Sequence, residues 1–423
     1  MRQFLFLLCA AVPLTSIQAG DWPTWRGTSR DDISSETGLL SEWPEGGPEK
    51  LWDTKEAGLG YSSFAIVGNQ LFTMGSDGTE NDSSDFLMAL NVTDGSVNWK
   101  TRMGAYRDNG WGGGPRGTPS VSNDGKLVIG ISAAGDLVCV RTANGEEVWR
   151  KQLAGEGSEN AAGFGGSIPN WGYSESPLID GDRLLCTPGG NAGTVVCLNL
   201  QTGETIWQSA ELQDNAHYSS IIAVEHANAR QYIQLTEKTL FGLSADGKLL
   251  WKTEFPGRTA VIPTPVYSEG VVFATAGYGA GCVCVRISDS NEVEPLYDTK
   301  DMSNHHGGVL LFEGHIYGHS DSKGLLCQKL ETGEIVWTDN NRNRSKGAVA
   351  FADGHLYCLN EGDGQCVLAE ATPTGYNETG RFTLEPQSEQ RNPRGRVWTH
   401  PVICNGMLFL RDQEVICCYD IRK

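Results

Sequence analysis

Short apolar runs broken by two-residue polar turns fill this chain from about residue 51 to its end. An Asp-Gly, Asn-Gly or Thr-Gly pair between two such runs predicts a hairpin, because glycine takes positive φ without steric cost. Residues 177–179 (PLI) lead through Asp180-Gly181 into 183–187, and residues 265–267 (PVY) lead through Glu269-Gly270 into 271–275. After each such pair comes a second hairpin with a recurring phrase. It has a small residue, a polar turn closed by glycine, and a tryptophan four residues beyond that glycine. It reads ALNVTDGSVNW at 89–99, CVRTANGEEVW at 139–149, CLNLQTGETIW at 197–207, FGLSADGKLLW at 241–251 and CQKLETGEIVW at 327–337. Weaker copies end at Tyr297 and Phe382. An eighth is divided between the chain's ends, Cys418-Tyr419-Asp420 at one and Leu51-Trp52 at the other.

Two hairpins per unit of roughly 45 residues predict an all-β fold, an eight-bladed β-propeller with tryptophan-docking repeats. No four-stranded blade buries both faces alone, so each leans on its neighbours. Burying ~200 Å² of each repeat indole between blades contributes at most about 5 kcal/mol. The divided copy predicts how the ring closes. The strand at 415–420 pairs with the strand carrying Leu51-Trp52, which joins the N- and C-terminal strands in one sheet and removes an exposed edge. Seven blades with an extra strand pair, or an open solenoid, are the alternatives. The predicted organisation is a signal peptide at 1–20, a leader at 21–50 and the propeller at 51–423.

Arg2, an apolar stretch over 4–14 and the small-residue site Ser16-Ile17-Gln18-Ala19 predict an export signal cleaved near Ala19/Gly20, hence a periplasmic or secreted protein. The apolar stretch is short for a membrane span, and no other segment is apolar enough to be one. The formal net charge of −19 repels phosphate backbones and argues against a nucleic-acid partner. Among 12 cysteines, Cys139, Cys197, Cys284, Cys327 and Cys418 fall in the small-residue slot of the phrase, so they read as packing residues. Cys417 and Cys418 face opposite sides of a strand, and a bond between them would distort it.

In a ring of blades, the segments leading into the innermost strands converge on one mouth. Here they are 58–63 (GLGYSS), 107–118 (RDNGWGGGPRGT), 160–176 (NAAGFGGSIPNWGYSES), 215–220 (NAHYSS), 257–264 (GRTAVIPT), 304–308 (NHHGG), 342–347 (RNRSKG) and 394–400 (RGRVWTH). They gather four histidines, three tryptophans outside the repeat, and cations that include Arg107, Arg342, Arg344 and Arg394. Cations and aromatic rings on one mouth of an acidic protein suit an anionic, flat or sugar-like ligand. The candidate ligand-binding residues are Trp111, Arg116, Trp171, Tyr173, Glu175, His217, Arg258, His305, His306, Lys346, Arg396, Trp398 and His400. Loop-to-loop packing with solvated arginines is the alternative. The glycine-rich 112–117 and 277–281 lead into strands, so no helix N-terminus is there to hold a phosphate. No metal site and no catalytic set is read from the spacing.

The phrase resembles the tryptophan-docking repeat of quinoprotein-type, PQQ-like propellers over about residues 51–423. The segment Asp21-Trp22-Pro23-Thr24-Trp25-Arg26-Gly27, with Gly38-Leu39-Leu40 and Trp43-Pro44, looks like the leader of exported propellers of this kind from planctomycete-type bacteria. The resemblance implies two activities. One branch is dehydrogenases that bind pyrroloquinoline quinone with Ca²⁺ and oxidise alcohols or sugars. They use a vicinal disulfide beside the quinone, a Ca²⁺-ligating set and a catalytic Asp. Here Cys417-Cys418 falls in the closing strand, and Asp108 is the only aspartate in the mouth segments. The other branch is the BamB-type scaffold, which binds partner proteins at the outer membrane. The expected function is a monomeric BamB-like scaffold that binds a protein partner or a small ligand, with no cofactor. A dehydrogenase dependent on pyrroloquinoline quinone and calcium is the alternative.

Overall fold

The computed structural model describes residues 20–78, 83–155, 157–158, 161–321, 323–339 and 346–423. The export segment expected at 1–19, and Asn160, Arg342 and Arg344, lie outside them. Every regular element among the described residues is a strand, and the strands form eight sheets. The chain is an eight-bladed β-propeller. Blade 1 runs Ala65–Val67, Gln70–Ser76, Ser84–Asn91 and Val97–Ala105 from the axis outward. Blade 8 takes Val402–Cys404, Met407–Asp412 and Val415–Asp420 from one end of the chain and Glu49–Thr54 from the other. Trp52 lies opposite Cys418, as the divided phrase requires. Blade 2 departs from the pattern: Ala161–Gly166 adds in parallel to its outer strand Glu147–Ala154 and carries Gly157–Ser158. Part of the segment expected at the mouth is therefore edge strand, where it covers unpaired backbone groups.

The repeat phrase is the joint between blades. Ala89 faces Trp99, Cys139 faces Trp149, Cys197 faces Trp207 and Cys327 faces Trp337. The degenerate copies pair Cys284 with Tyr297 and Cys366 with Phe382. In the fourth copy the register differs from the reading above. Trp251 faces Gly242 rather than Phe241, and the ring lies so close that a Cβ at Gly242 would sit 2.3 Å from the indole Nε1. Trp251 Nε1 donates to the Gln231 side chain of its own blade at 3.0 Å, whereas Trp52, Trp99, Trp149, Trp207 and Trp337 reach into the next blade. Nε1 donates to a carbonyl there at 2.9 Å from Trp52 to Val92, Trp99 to Thr142 and Trp149 to Leu200. The glycine of that next turn lies under the ring. A Cβ at Gly145 would come 2.6 Å from Trp99, and one at Gly203 would come 2.8 Å from Trp149. The phrase's glycine and tryptophan thus serve two different joints, which is why both recur.

The eleven described cysteines are free and buried. Cys417 packs beside Phe382, and Cys418 packs beside Trp52 and Phe409 on the other face, as strand alternation dictates. No helix among the described residues is long and apolar enough to cross a membrane.

The leader is part of the fold, inserted in the channel. Gly20 and Glu36 are tied to the turn after Val402–Cys404, at the end of blade 8 away from the mouth: Cys404 Sγ lies 3.2 Å from the Gly20 carbonyl, and Gly406 N–H donates to Glu36 at 2.6 Å. Between them the chain climbs the axis and returns. Trp22 exchanges backbone hydrogen bonds with Ile66 of blade 1 at 2.8 and 2.7 Å, Val121 of blade 2 donates to Pro23, and Ile33 pairs with Phe351 of blade 7. At the tip, Arg30 donates to the carbonyls of Ser176 and Pro177 in blade 3 at 2.8 and 3.0 Å. Arg26 pairs with Asp32 at 2.7 Å and donates to the Val309 carbonyl in blade 6. Both guanidiniums are buried, and burial pushes Arg30 down to about 9.

Candidate functional site

The mouth segments place one residue from each blade around a cavity of about 360 Å³: Tyr61, Arg116, Ser174, Tyr218, Ile262, His306, Lys346 and Trp398, in blade order. Two residues further on, Ser176, Ser220 and His400 line it again. This is the period of two expected of chain entering a strand. The side chains between them face away. The floor is Trp25 from the leader tip, its ring 4.4 Å from His400 and its Nε1 bonded to Thr264 Oγ1 at 3.0 Å. The cavity is therefore a cup rather than a through channel.

Aromatic rings run almost continuously around the cup. Trp171 stacks on Tyr218 with centroids 5.5 Å apart and leans on Tyr278 at 6.4 Å. Tyr278 meets His305 at 4.1 Å, His305 meets His306 at 5.1 Å, and His306 meets Trp398 at 5.0 Å. Trp398 meets Tyr61 at 5.0 Å, and the Arg116 guanidinium covers Tyr61 at 4.5 Å.

The two sides of the cup differ in charge. On blades 6 and 7, His305 Nδ1 lies 2.9 Å from both Asp321 and the Lys346 Nζ, and Lys346 pairs with Asp321 at 3.0 Å. Glu361 lies 3.0 Å from His306 Nε2 and accepts from Trp398 Nε1 at 2.9 Å. Burial opposes charge on Asp321, but His305 and Lys346 outweigh it and hold the carboxyl at about 2. Glu361 is likewise held below the usual range, by His306, Trp398 and Lys346 against burial. His306 is below the usual histidine range, because burial outweighs Glu361. On blades 2 and 8 the cations stand without acids. Half-buried Arg116 donates to the Gly112 carbonyl at 2.7 Å, and its buried Nε has no partner. Arg394 lies 5.9 Å from the Trp111 ring, and Arg396 donates to backbone carbonyls. Among the described residues none of these three makes an ion pair. Burial lowers the Arg116 pKa, yet a guanidinium remains charged at any ordinary pH.

Nine of the thirteen residues expected at the mouth line the cup: Trp111, Arg116, Trp171, His305, His306, Lys346, Arg396, Trp398 and His400. Four do not. Tyr173 is buried with its hydroxyl on the Pro188 carbonyl at 2.9 Å. Glu175 faces into the blade, where it accepts from Thr187 N–H at 2.6 Å and from Thr187 Oγ1 at 2.8 Å. Burial raises its pKa to about 7 against those bonds and Arg30. His217 Nδ1 accepts from Val261 N–H at 2.9 Å. These three stand next to cup-facing Ser174 or Tyr218, on the wrong side of the alternation. Arg258 sits upstream in its loop, exposed. The structure adds Trp25, Tyr61, Tyr218, Tyr278, Glu361 and Arg394. The repeated Tyr-Ser-Ser at 61–63 and 218–220 is the signal that marks the cup-facing register.

Residues 83–339 match the family described as outer membrane protein assembly factor BamB. No curated protein matches the chain in sequence. Among solved structures, BamB from Moraxella catarrhalis is similar with a TM-score of 0.59 and 15% identity, over 85% of this chain and 94% of that one. A quinohemoprotein alcohol dehydrogenase from Pseudomonas putida HK5 is similar with a TM-score of 0.62 and 10% identity, over 96% and 80%. Sqt1 of Chaetomium thermophilum, solved bound to the N-terminus of ribosomal protein L10, is similar with a TM-score of 0.58 and 10% identity, over 88% and 100%. At these identities the likenesses speak for the fold alone, and they join scaffolds and dehydrogenases alike. The family match takes in more than half of the chain. This chain belongs to the BamB-type, PQQ-like propeller family.

Proposed function

We propose that this chain is an exported ligand-binding propeller whose axial cup holds a small ring-shaped anion, with sugar acids as the leading class. The observation that carries the reading is Arg116, a half-buried cation with no acidic partner, beside a cavity, in a chain of net charge −19. A desolvated charge is costly until a counter-charge meets it, and a carboxylate meets a guanidinium with two hydrogen bonds. The surrounding rings offer flat faces for stacking against a pyranose or other ring. The closed floor and a volume near the low end of small-molecule sites favour a small ligand over a protein segment. An exported location agrees with a family whose description names an outer-membrane assembly factor.

The calcium-ligating set and the vicinal disulfide used by the dehydrogenase branch have no counterpart among the described residues of the cup. Among the described residues no group of three or more His, Cys, Asp or Glu is arranged to hold a metal ion. The adjacent cysteines face opposite sides of a buried strand. Glu361, the one carboxylate lining the cup among the described residues, is taken up by His306 and Trp398.

Calorimetric titration with glucuronate, galacturonate and glucose tests the reading. The acids bind saturably and glucose at least tenfold more weakly, and Arg116→Gln lowers the affinity for the acids by about 10- to 100-fold, the worth of a charged hydrogen-bonded pair. Equal binding of acid and neutral sugar, or an Arg116→Gln protein that binds as the parent does, overturns it. Pyrroloquinoline quinone with Ca²⁺ leaves the melting temperature unchanged. A rise of several degrees, together with dye reduction by alcohols, restores the dehydrogenase reading instead.

A further inference from the structure

Across the cup from Arg116 stand two histidine–carboxylate pairs on consecutive residues, a feature that binding alone does not use. We infer that the cup carries out β-elimination on the uronate end of an acidic saccharide; this rests on the anion-binding reading above. A carboxylate that takes one imidazole N–H fixes the tautomer and leaves the lone pair on the other nitrogen. Glu361 lies 3.0 Å from Nε2 of His306, and the tautomer with its proton on that nitrogen has its lone pair at Nδ1. Burial keeps His306 neutral to lower pH than usual, the state a base needs. Tyr278 lies against His305 at 4.1 Å, and its hydroxyl makes no hydrogen bond among the described residues. Burial and Asp321 hold the phenolic proton in place. The cup therefore has a neutral imidazole, a phenol that keeps its proton, and a wall of unpaired guanidiniums.

Glycoside hydrolysis calls for two carboxyl groups flanking the bond, one of them protonated. Here only Glu361 among the described residues lines the cup, and its neighbours hold it ionised. Elimination needs what is present. Arg116 on the sugar carboxylate makes the C5 hydrogen acidic and stabilises the charge that develops as it leaves. His306 takes the C5 proton as the C5–H bond breaks, the C4–O4 bond breaks, and the pair from C5–H becomes the C4=C5 double bond. Tyr278 gives its proton to the departing O4, and solvent carries the proton from His306 back to the phenolate. The products are a 4,5-unsaturated uronate and a saccharide with a free hydroxyl, so no oxidant, reductant or water is consumed. Trp25 and the leader close the cup below, so a chain end enters it and a chain middle cannot thread through.

The full chain is mixed with oligosaccharides of polygalacturonate, alginate and glucuronan, and the ultraviolet absorbance of the conjugated unsaturated acid is followed between about pH 5 and 9. Absorbance rises with at least one of the three, and its acid limb lies below the usual histidine value of about 6.5. His306→Gln and Tyr278→Phe each slow the reaction by about 100-fold or more, and the loss falls on kcat more than on KM. Arg116→Gln loses both binding and turnover. Binding without unsaturated product from all three overturns elimination and leaves the anion-binding reading standing, whereas no binding of any uronate removes both. A His306→Gln protein with the parent rate also overturns it.

Discussion

Trp149 illustrates how one repeat position works. Its ring is buried, its Nε1 holds the Leu200 carbonyl of the next blade, and Gly203 of that blade, at φ +69°, lies beneath it. Three substitutions separate these contributions. Trp149→Ala removes ring and hydrogen bond and lowers stability by about 3–5 kcal/mol. Gly203→Ala places a Cβ 2.8 Å from the ring at a left-handed φ and costs about 1–3 kcal/mol. Trp149→Phe keeps a ring but strands the carbonyl, costing about 1 kcal/mol or more. Urea midpoints should fall in that order, and a Phe variant as weak as the Ala variant would shift the weight from packing to the hydrogen bond.

Glu175 makes a different residue-scale prediction. Its folded pKa of about 7 exceeds the ordinary 4.5, so the native state holds this proton more tightly than the unfolded chain does. The stability it contributes is therefore full below pH 4.5 and is lost as pH rises through about 7. The difference is worth roughly 3 kcal/mol, since one pKa unit is about 1.4 kcal/mol. Urea unfolding at pH 4.5 and pH 7 should show the parent losing stability between them relative to Glu175→Gln. A parent that instead gains would mean that Thr187 and Arg30 keep the carboxylate ionised. The cysteines give a third check. Burial pushes the thiols of Cys139, Cys197 and Cys418 up to about 12, so native protein resists alkylation at these positions until it is unfolded.

At the scale of elements, the leader is where sequence and structure part. The strands and the ring closure are legible because they rest on local signals: period-two runs, turn glycines and a phrase cut in half by the chain ends. The leader has no periodicity to read. It is held by guanidiniums that reach carbonyls far away in sequence, Arg30 to Pro177 across 147 positions and Arg26 to Val309 across 283. Such contacts leave no local pattern. The cup was legible as a set of loops but not in its register, because one step along 173–176 or 217–218 decides whether a side chain meets the cavity or the blade. Arg26→Met tests the leader's structural role. It leaves Asp32 buried with its oxygen 3.7 Å from His400 Nδ1, and removing one member of a buried pair typically costs about 3–5 kcal/mol. Thermal melts should show that loss. A shift of under a degree would mean that the leader sits on the channel without supporting it.

For the whole molecule, the cup's cations work against the charge of everything around them. An approaching sugar acid meets a body of net charge −19 before it meets Arg116. These influences act over different distances. The repulsion is spread over the surface and is screened beyond a Debye length, about 10 Å at 0.1 M salt and about 30 Å at 0.01 M. The guanidinium contact is short and shielded by the cup, so salt reaches it far less. Raising salt from about 10 to 150 mM should therefore speed association, the reverse of what a positively charged binding face shows. Dissociation, which breaks the local contact, should change little over the same range. Stopped-flow binding of glucuronate, followed through the cup tryptophans Trp111, Trp171 and Trp398, measures both rates. An association rate that falls with salt would show that Arg116, Arg394 and Arg396 govern the approach as well as the grip. In that case Arg394→Gln and Arg396→Gln would remove the salt dependence, because these two are exposed at the rim and Arg116 is not.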